Sequence, residues 1–332
     1  MDLTEDELVE AIARVLSGDT PGVLVGIGDD AAVVEAGAGA TVLTTDLLVE
    51  DVHFEVGTIS AHDLGRKAIT VNVSDVAAMA ASPRFALIGL ALGPEATPGW
   101  VMELYGGMRE ACDEYALSLV GGDLNRGERT VLAVTVVGEV APGRAVTRAG
   151  ARPGDAIVVT GHVGASAGGF LLTRAAAATR NAGLEAPWGR ELLAAFTRPI
   201  ARVGEARVLA SAGATAMMDL SDGIAKDLPR LCARSGVGAE VDLASVPVAP
   251  SLRDGATALG VDALEVALGG GEDYELLATM PPGAVDGARA RLRETYAVPL
   301  TVIGRIVAGA GVVGVADGAS GPLPARGWDH FA

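Results

Sequence analysis

The sequence predicts a two-domain protein of the α/β or α+β class, and three observations carry that expectation. Short apolar or β-branched runs alternate with helix-periodic segments in both halves of the chain. The 332 residues suffice for two domains of about 100–200 residues each. Around residues 141–154 the chain becomes a polar connection punctuated by Pro142, Gly143, Gly150, Pro153 and Gly154. The boundary is placed there, giving domains of 1–145 and 146–332.

In the first half, residues 4–16 read as an amphipathic helix. Thr4 and Glu7 form a capping box, and Leu8, Ile12, Val15 and Leu16 share a face. Gly26-Ile27-Gly28-Asp29-Asp30 is a turn. A strand beginning at Val42 is expected to end in Thr44-Thr45-Asp46. Ser60 and Asp63 start a helix running to about Ala81, and residues 85–92 read as a buried strand. A helix over 99–115 leads to a strand over 117–120, which is expected to end in Gly121-Gly122-Asp123. Residues 130–140 form a β-branched strand.

In the second half, a strand over 156–159 ends in Thr160-Gly161, and alanine-rich helices follow at about 165–180 and 200–211. A strand over 215–218 leads into Asp219-Leu220-Ser221-Asp222-Gly223, then a helix to about Arg234. Further elements are a strand near 239–243, a turn over 269–273, a strand over 274–279, a helix over 284–295 and a strand over 300–307. No tandem repeat is visible.

Composition narrows the function. Half the residues are apolar but only 4% are aromatic, so aliphatic and alanine packing must build the core. The net charge of −17 argues against a nucleic acid or an anionic membrane as partner. It is compatible with a protein that concentrates divalent cations, although on charge alone surface acid that aids solubility is the preferred reading. Lys67 and Lys226 are the only lysines among 25 basic residues. Cys112 and Cys232 form no CxxC and read as buried thiols of a reducing cytoplasm. No apolar run reaches the ~20 residues of a membrane span, and the acidic N-terminus lacks a signal-peptide pattern. A cytoplasmic protein is expected.

One pattern recurs: an apolar run, small residues, then one or two carboxylates. It occurs at Asp29-Asp30, Thr44-Thr45-Asp46, Ser74-Asp75, Gly122-Asp123, Asp219-Leu220-Ser221-Asp222 and Glu272-Asp273. Any one of these is equally a turn, where Asp after Gly is common. Six of them beside buried-type strands point further. Converging carboxylates repel and need protons or cations. Hard oxygen donors suit Mg²⁺, to which Thr44 and Thr45 can add hydroxyl or carbonyl oxygens. An EF-hand loop is absent, and Cys and His are too sparse for structural zinc. There is no GxxxxGK[ST] lysine loop, so phosphates would have to be met by several Mg²⁺ ions and by arginines such as Arg148. Arg148 is otherwise an ordinary surface residue. His53 follows the Asp46 strand and is either structural or chemical. Trp328, near the chain end, is a candidate stacking residue, and Tyr105 equally fits the core of its helix.

At this point a resemblance is specific. GIGDDAAVV (26–34), TTDLLVEDVHF (44–54), KAITVNVSDVAAMAASP (67–83), GGDLNRG (121–127), TRAGARPGD (147–155), MDLSDGIAKDL (218–228), GGGEDYEL (269–276) and GWDHF (327–331) appear in one order across nearly the whole chain. Together they resemble the thiamine-monophosphate kinase family of the aminoimidazole-ribonucleotide synthetase and selenophosphate synthetase superfamily. The resemblance implies an α+β fold of the α/β-sandwich type. Its N-terminal mixed or antiparallel sheet domain would dimerise, and its C-terminal sheet would be covered by helices. It implies conversion of thiamine monophosphate to thiamine diphosphate with ATP and several Mg²⁺ ions. Metal ligands would fall on Asp30, Thr44, Thr45, Asp46, Asp75, Asp123, Asp219 and Asp222. ATP contacts would fall on Tyr105, Gly122, Asp123, Arg148 and Ser221, and substrate contacts on His53, Glu272 and Trp328. An acceptor phosphate is already a nucleophile at neutral pH, so no general base or enzyme nucleophile is assigned.

Three rivals stand beside that expectation. A selenophosphate synthetase would carry a reactive Cys in a glycine-rich N-terminal segment, and nothing before Cys112 qualifies. A metal-dependent phosphohydrolase would use the same kind of site to activate water, although the DxDxT pattern of one such class is missing. A non-catalytic cation-binding protein would bind metal without nucleotide turnover.

Overall fold

The computed structural model of the chain describes residues 11–16, 21–25, 33–179, 183–325 and 327. Its backbone divides into two compact units. One comprises Met1–Val76 and Ala81–Gly143, and the other Ala77–Ala80 and Arg144–Ala332.

In the first unit, β1 (Val23–Val25) and β2 (Val33–Val34) form a small antiparallel pair. The main sheet contains β3 (Ala40–Val49), β4 (Ser82–Leu92), β5 (Ser118–Arg126) and β6 (Val131–Val140), in the order β3-β6-β4-β5. It is mixed: β6 is antiparallel to both neighbours, while β4 and β5 are parallel. A parallel pair needs a crossover, and helix α2 (Pro98–Tyr115) supplies it. Helix α1 (Ala61–Ala78) connects β3 to β4. The two helices approach closely at glycines. A Cβ on Gly65 would lie 1.9 Å from the Leu104 carbonyl oxygen, and one on Gly107 would lie 1.8 Å from that of His62. Arg66 of α1 bonds Glu110 at 2.9 Å and also pairs with Glu114, both on α2.

Burial in β6 alternates strictly, as a half-buried strand requires, with Leu132, Val134 and Val136 inward. The opposite face of this sheet exposes Leu43, Leu47 and Leu87. Leu87 and Thr45 both pair with Thr135, which puts all three leucines on one side.

The second unit is built on a seven-stranded sheet of order β13-β12-β9-β11-β7-β10-β8. Its strands are β7 (Ala156–Thr160), β8 (Ala216–Asp219), β9 (Gly238–Asp242), β10 (Leu276–Met280), β11 (Leu300–Val307), β12 (Gly311–Ala316) and β13 (Ala319–Gly321). All pairings are antiparallel except β12 with β9. The helices are α3 (Ala165–Thr179), α4 (Pro187–Thr197), α5 (Val203–Ser211), α6 (Ile224–Ser235), α7 (Pro250–Leu259), α8 (Ala263–Gly269) and α9 (Val285–Tyr296). Strand β7 is buried throughout, so its alternate residues feed two cores. Ile157 and Val159 pack in a cluster with residues of α4, α6, α7 and α8. Ala156 and Val158 pack in a second cluster with residues of α5 and α9. Helices therefore cover both faces.

Several expected boundaries shift. Strand β3 does not end at Asp46 but continues to Val49, because its whole length is paired with β6. Strand β5 likewise runs through Gly121-Gly122-Asp123 to Arg126 alongside β4. Helix α1 stops at Ala78, and the chain turns at Ala80, whose φ is 57°. The helix expected from residue 200 starts at Val203. Helices α4, α7 and α8 and strands β12 and β13 were not foreseen. Of the helix expected over 4–16, residues 11–15 are helical and residues 4–10 lie outside the described residues. So do Asp29 and Asp30.

Candidate functional site

In the first unit the site is built from β3 and α1. Thr44 and Asp46 are two apart on β3 and so point to one face. Asp75 of α1 meets them there: the Thr44 hydroxyl donates to its Oδ2 at 2.5 Å. Burial, with the nearby Asp75 charge second, pushes the Asp46 carboxyl up to about 6. Two carboxylates and a hydroxyl thus share a partly desolvated spot. Thr45 points to the other face, where it donates to the Val134 carbonyl at 3.0 Å and accepts from Thr135 at 3.1 Å. Any metal contact from Thr45 would have to use its carbonyl oxygen.

His53 lies in the turn after β3, and its Nδ1 accepts the Val49 N–H at 3.0 Å. This fixes the neutral tautomer with its proton on Nε2. Asp123 sits on the exposed half of β5. Gly122 beside it is required by a close approach, since a Cβ there would lie 2.0 Å from the Ile88 carbonyl oxygen. Tyr105 is 4% exposed on the packed face of α2.

In the second unit two loops lie side by side beyond the β8–β10 pair. Asp219 ends β8 and is buried, opposite Leu276 of β10. The following residues are laced to the 269–275 loop. Glu272 N–H donates to the Ser221 carbonyl at 2.8 Å and Tyr274 N–H to that of Leu220 at 2.9 Å. Gly271 permits this approach, for a Cβ there would meet the Ser221 oxygen at 2.3 Å. Asp219, Ser221, Asp222 and Glu272 are thereby gathered at one end of the sheet. Gly327 reaches the same place: a Cβ on it would lie 2.3 Å from the Lys226 Cβ and 2.8 Å from the Asp222 carbonyl oxygen. Trp328 itself, like Asp30, lies outside the described residues.

The acids of this unit have close partners. Asp222 accepts from Arg230 at 2.6 Å and lies 3.4 Å from the Lys226 ammonium. Asp227, fully buried, accepts from the Asp222 N–H at 2.9 Å and from Arg230 at 3.0 Å. Burial still pushes its carboxyl up to about 6. Asp273 accepts from the N–H groups of Gly164 and Ser166 at 2.7 and 3.3 Å, capping α3, and desolvation pushes it up to about 7. Glu275 accepts from Arg202 Nε at 2.9 Å and from the Thr160 hydroxyl at 2.6 Å. Arg148 is exposed, and its loop is pinned by Ser235, which donates to the Arg148 carbonyl at 2.8 Å and accepts from Gly150 N–H at 3.1 Å.

Among the described residues no three His, Cys, Asp or Glu side chains form a group fit to hold a metal ion alone. The donor set is nonetheless the right chemistry for Mg²⁺, which binds through one or two carboxylates and fills its shell with water and phosphate oxygens. Asp46, Asp75 and Thr44 offer such a set. Asp227, Arg230, Glu275, Arg202 and Thr160 escaped the sequence reading. Asp227 and Glu275 fall inside the quoted motifs, but Arg202 has its partner 73 residues away and no local signal.

This fold, with acids gathered on both sheets, is that of a two-domain synthetase-type protein. The family model described as AIR synthase related protein, N-terminal domain, matches residues 28–140, and that of the C-terminal domain matches residues 152–317. Thiamine-monophosphate kinase of Bacillus subtilis is 34% identical over 92% of this chain and 93% of its own. A crystal structure of thiamine-monophosphate kinase from Stenotrophomonas maltophilia superimposes with a TM-score of 0.83 at 37% identity, covering 96% of this chain and 99% of the other. A structure of AaThiL complexed with AMPPCP and TMP gives a TM-score of 0.78 at 34% identity, covering 100% and 99%. The chain belongs to the thiamine-monophosphate kinases of the AIR synthase related family.

Proposed function

We propose that the chain transfers the γ-phosphoryl group of ATP directly to the phosphate of thiamine monophosphate, giving thiamine diphosphate and ADP. The observation that supports this best is the Thr44–Asp46–Asp75 group, a hard-oxygen set whose two acids repel. Asp30, Thr44, Thr45, Asp46, Asp75, Asp123, Asp219 and Asp222 would hold Mg²⁺. When bound, the metal ions supply the positive charge that lets two anionic phosphates approach.

The chain's own residues then have simple tasks. Gly122, Asp123, Arg148 and Ser221 contact ATP, and Tyr105, buried in its helix, is assigned as an ATP contact by the family resemblance. His53 offers Nε2–H, and Glu272 and Trp328 complete the acceptor contacts. The acceptor oxygen attacks the γ-phosphorus in line as the bond to the ADP oxygen breaks, and no side chain needs to remove a proton. We read the 1–145 domain as the one that dimerises, because the exposed face bearing Leu43, Leu47 and Leu87 fits a second copy better than water. Cytoplasmic residence accords with two buried free cysteines. Among the described residues no helix is long and apolar enough to cross a membrane.

Incubation with ATP, Mg²⁺ and thiamine monophosphate tests the reading. Thiamine diphosphate and ADP in equal amounts are expected. Free phosphate without thiamine diphosphate would make the protein a hydrolase, and a labelled phosphoprotein trapped during turnover would rule out direct transfer.

A further inference from the structure

The 272–274 turn holds two non-glycine residues in the left-handed region. Glu272 has φ 65° and Tyr274 has φ 52°. Side chains there crowd the backbone, and such conformations persist only where the surroundings over-determine them. Upstream, the turn is held by backbone bonds to Leu220 and Ser221 and by the Asp273 cap on α3. Downstream, everything converges on Glu275. Its carbonyl accepts the Leu220 N–H at 2.8 Å. Its carboxylate, 7% exposed, takes both prongs of the Arg202 guanidinium, Nε at 2.9 Å and Nη2 at 2.5 Å. Thr160 donates its hydroxyl to the same carboxylate at 2.6 Å and accepts the Leu276 N–H at 2.8 Å. Gly161, at φ 60°, clears the space, for a Cβ there would lie 2.0 Å from Glu275 Oε1.

We propose that Arg202 is a positioning residue for acceptor recognition, fixing the Glu272 carboxylate through Glu275. The inference rests on the reading of Glu272 as an acceptor contact. Arg202 does not touch that site itself; it precedes α5 and spends its remaining prong on Glu205 at 3.3 Å. A planar fork on a carboxylate fixes orientation as well as charge, which an ammonium does not. Loss of the fork releases the downstream end of the turn, and the two left-handed residues relax toward ordinary backbone, carrying Glu272 with them.

The test is steady-state kinetics of thiamine diphosphate formation, varying thiamine monophosphate and ATP separately, well below the Tm of each variant. Arg202→Met is expected to raise the KM for thiamine monophosphate about tenfold, since displacements near 1 Å cost up to about 10²-fold, and to leave the KM for ATP within about twofold. Arg202→Lys, which keeps the charge, falls between, and decides the matter if the methionine variant does not fold. Glu272→Ala raises the same KM, and adding Arg202→Met to it has no further effect, because both act through one carboxylate. An equal rise in both KM values, an additive double variant, or an unchanged acceptor KM in Arg202→Lys overturns the positioning role. An unchanged acceptor KM in Glu272→Ala instead removes the assignment of Glu272 itself.

Discussion

Asp46 in the first unit and Asp222 in the second belong to the same recurring sequence pattern, yet their surroundings have opposite sign. Asp46 faces Asp75, and burial with that repulsion holds its carboxyl near 6. Asp222 faces Arg230 and Lys226. The contrast extends to their neighbours. Asp227, Asp273 and Glu275 are met by an arginine, by helix-start amides, and by Arg202 with Thr160. The second unit has built its own partners for Asp227, Asp273 and Glu275 and uses these acids as fixed struts. The first unit presents two acids that repel each other, a pair that the proposed Mg²⁺ would relieve. A recurring sequence pattern therefore covers two physical roles, which separate according to whether an arginine or a backbone donor lies within reach.

The largest effect that sharpens this contrast is in the second unit. Glu275→Gln leaves the buried Arg202 with Glu205 alone as counter-charge, a change expected to cost about 1.5–3 kcal/mol, read as a lowered urea midpoint at unchanged slope. No loss would mean that the pair is not a strut.

A smaller effect, of opposite sign, is expected in the first unit. The raised carboxyl of Asp46 binds a proton more readily folded than unfolded, where its value is 3.8. Its contribution is therefore fully present below about 4 and is lost as pH rises through about 6. Metal-free Asp46→Asn should melt about 2–4 °C above the parent at pH 8, and the gap should narrow as pH falls through about 6 and close near pH 4. Mg²⁺ should also close it. A variant less stable than its parent at pH 8 would place Asp46 with the struts.

The smallest effect concerns Arg230, whose pair with Asp222 is 41% exposed on the arginine side. Such pairs are worth about 1 kcal/mol or less, and the buried Asp227, which Arg230 also meets at 3.0 Å, has a carboxyl already raised to about 6 and can take up a proton instead, so below about pH 6 Arg230→Met should barely change stability. It should lower the Mg²⁺ concentration for half-maximal rate by about two- to fivefold, because Asp222 loses a competing cation. An increase would show that Arg230 assists the metal rather than competing with it.

Much of this was legible in the sequence. The helix expected over 99–115 and the β-branched strand expected over 130–140 are found at 98–115 and 131–140, and three residues of the acidic motifs, Thr44, Asp46 and Asp75, meet in the first unit. What escaped had a physical cause. Thr44-Thr45-Asp46 looked like a strand end because three polar residues follow an apolar run, but pairing with β6 carries the strand through them. The same alternation sends Thr45 away from its two neighbours, as a period of two dictates. Helices α7 and α8, of 10 and 7 residues, are too short for helical periodicity to stand out. Arg202 looked like one arginine among many until folding brought Glu275 beside it.

The claim that the first unit's acids recruit the working metal is tested most directly by Asp46→Asn in an assay for thiamine diphosphate formation across a Mg²⁺ titration. The account predicts a loss of about 10²–10³ in kcat, the usual size for removing one electrostatic contact to a developing charge, with a higher Mg²⁺ requirement. An unchanged rate and an unchanged Mg²⁺ dependence would contradict it.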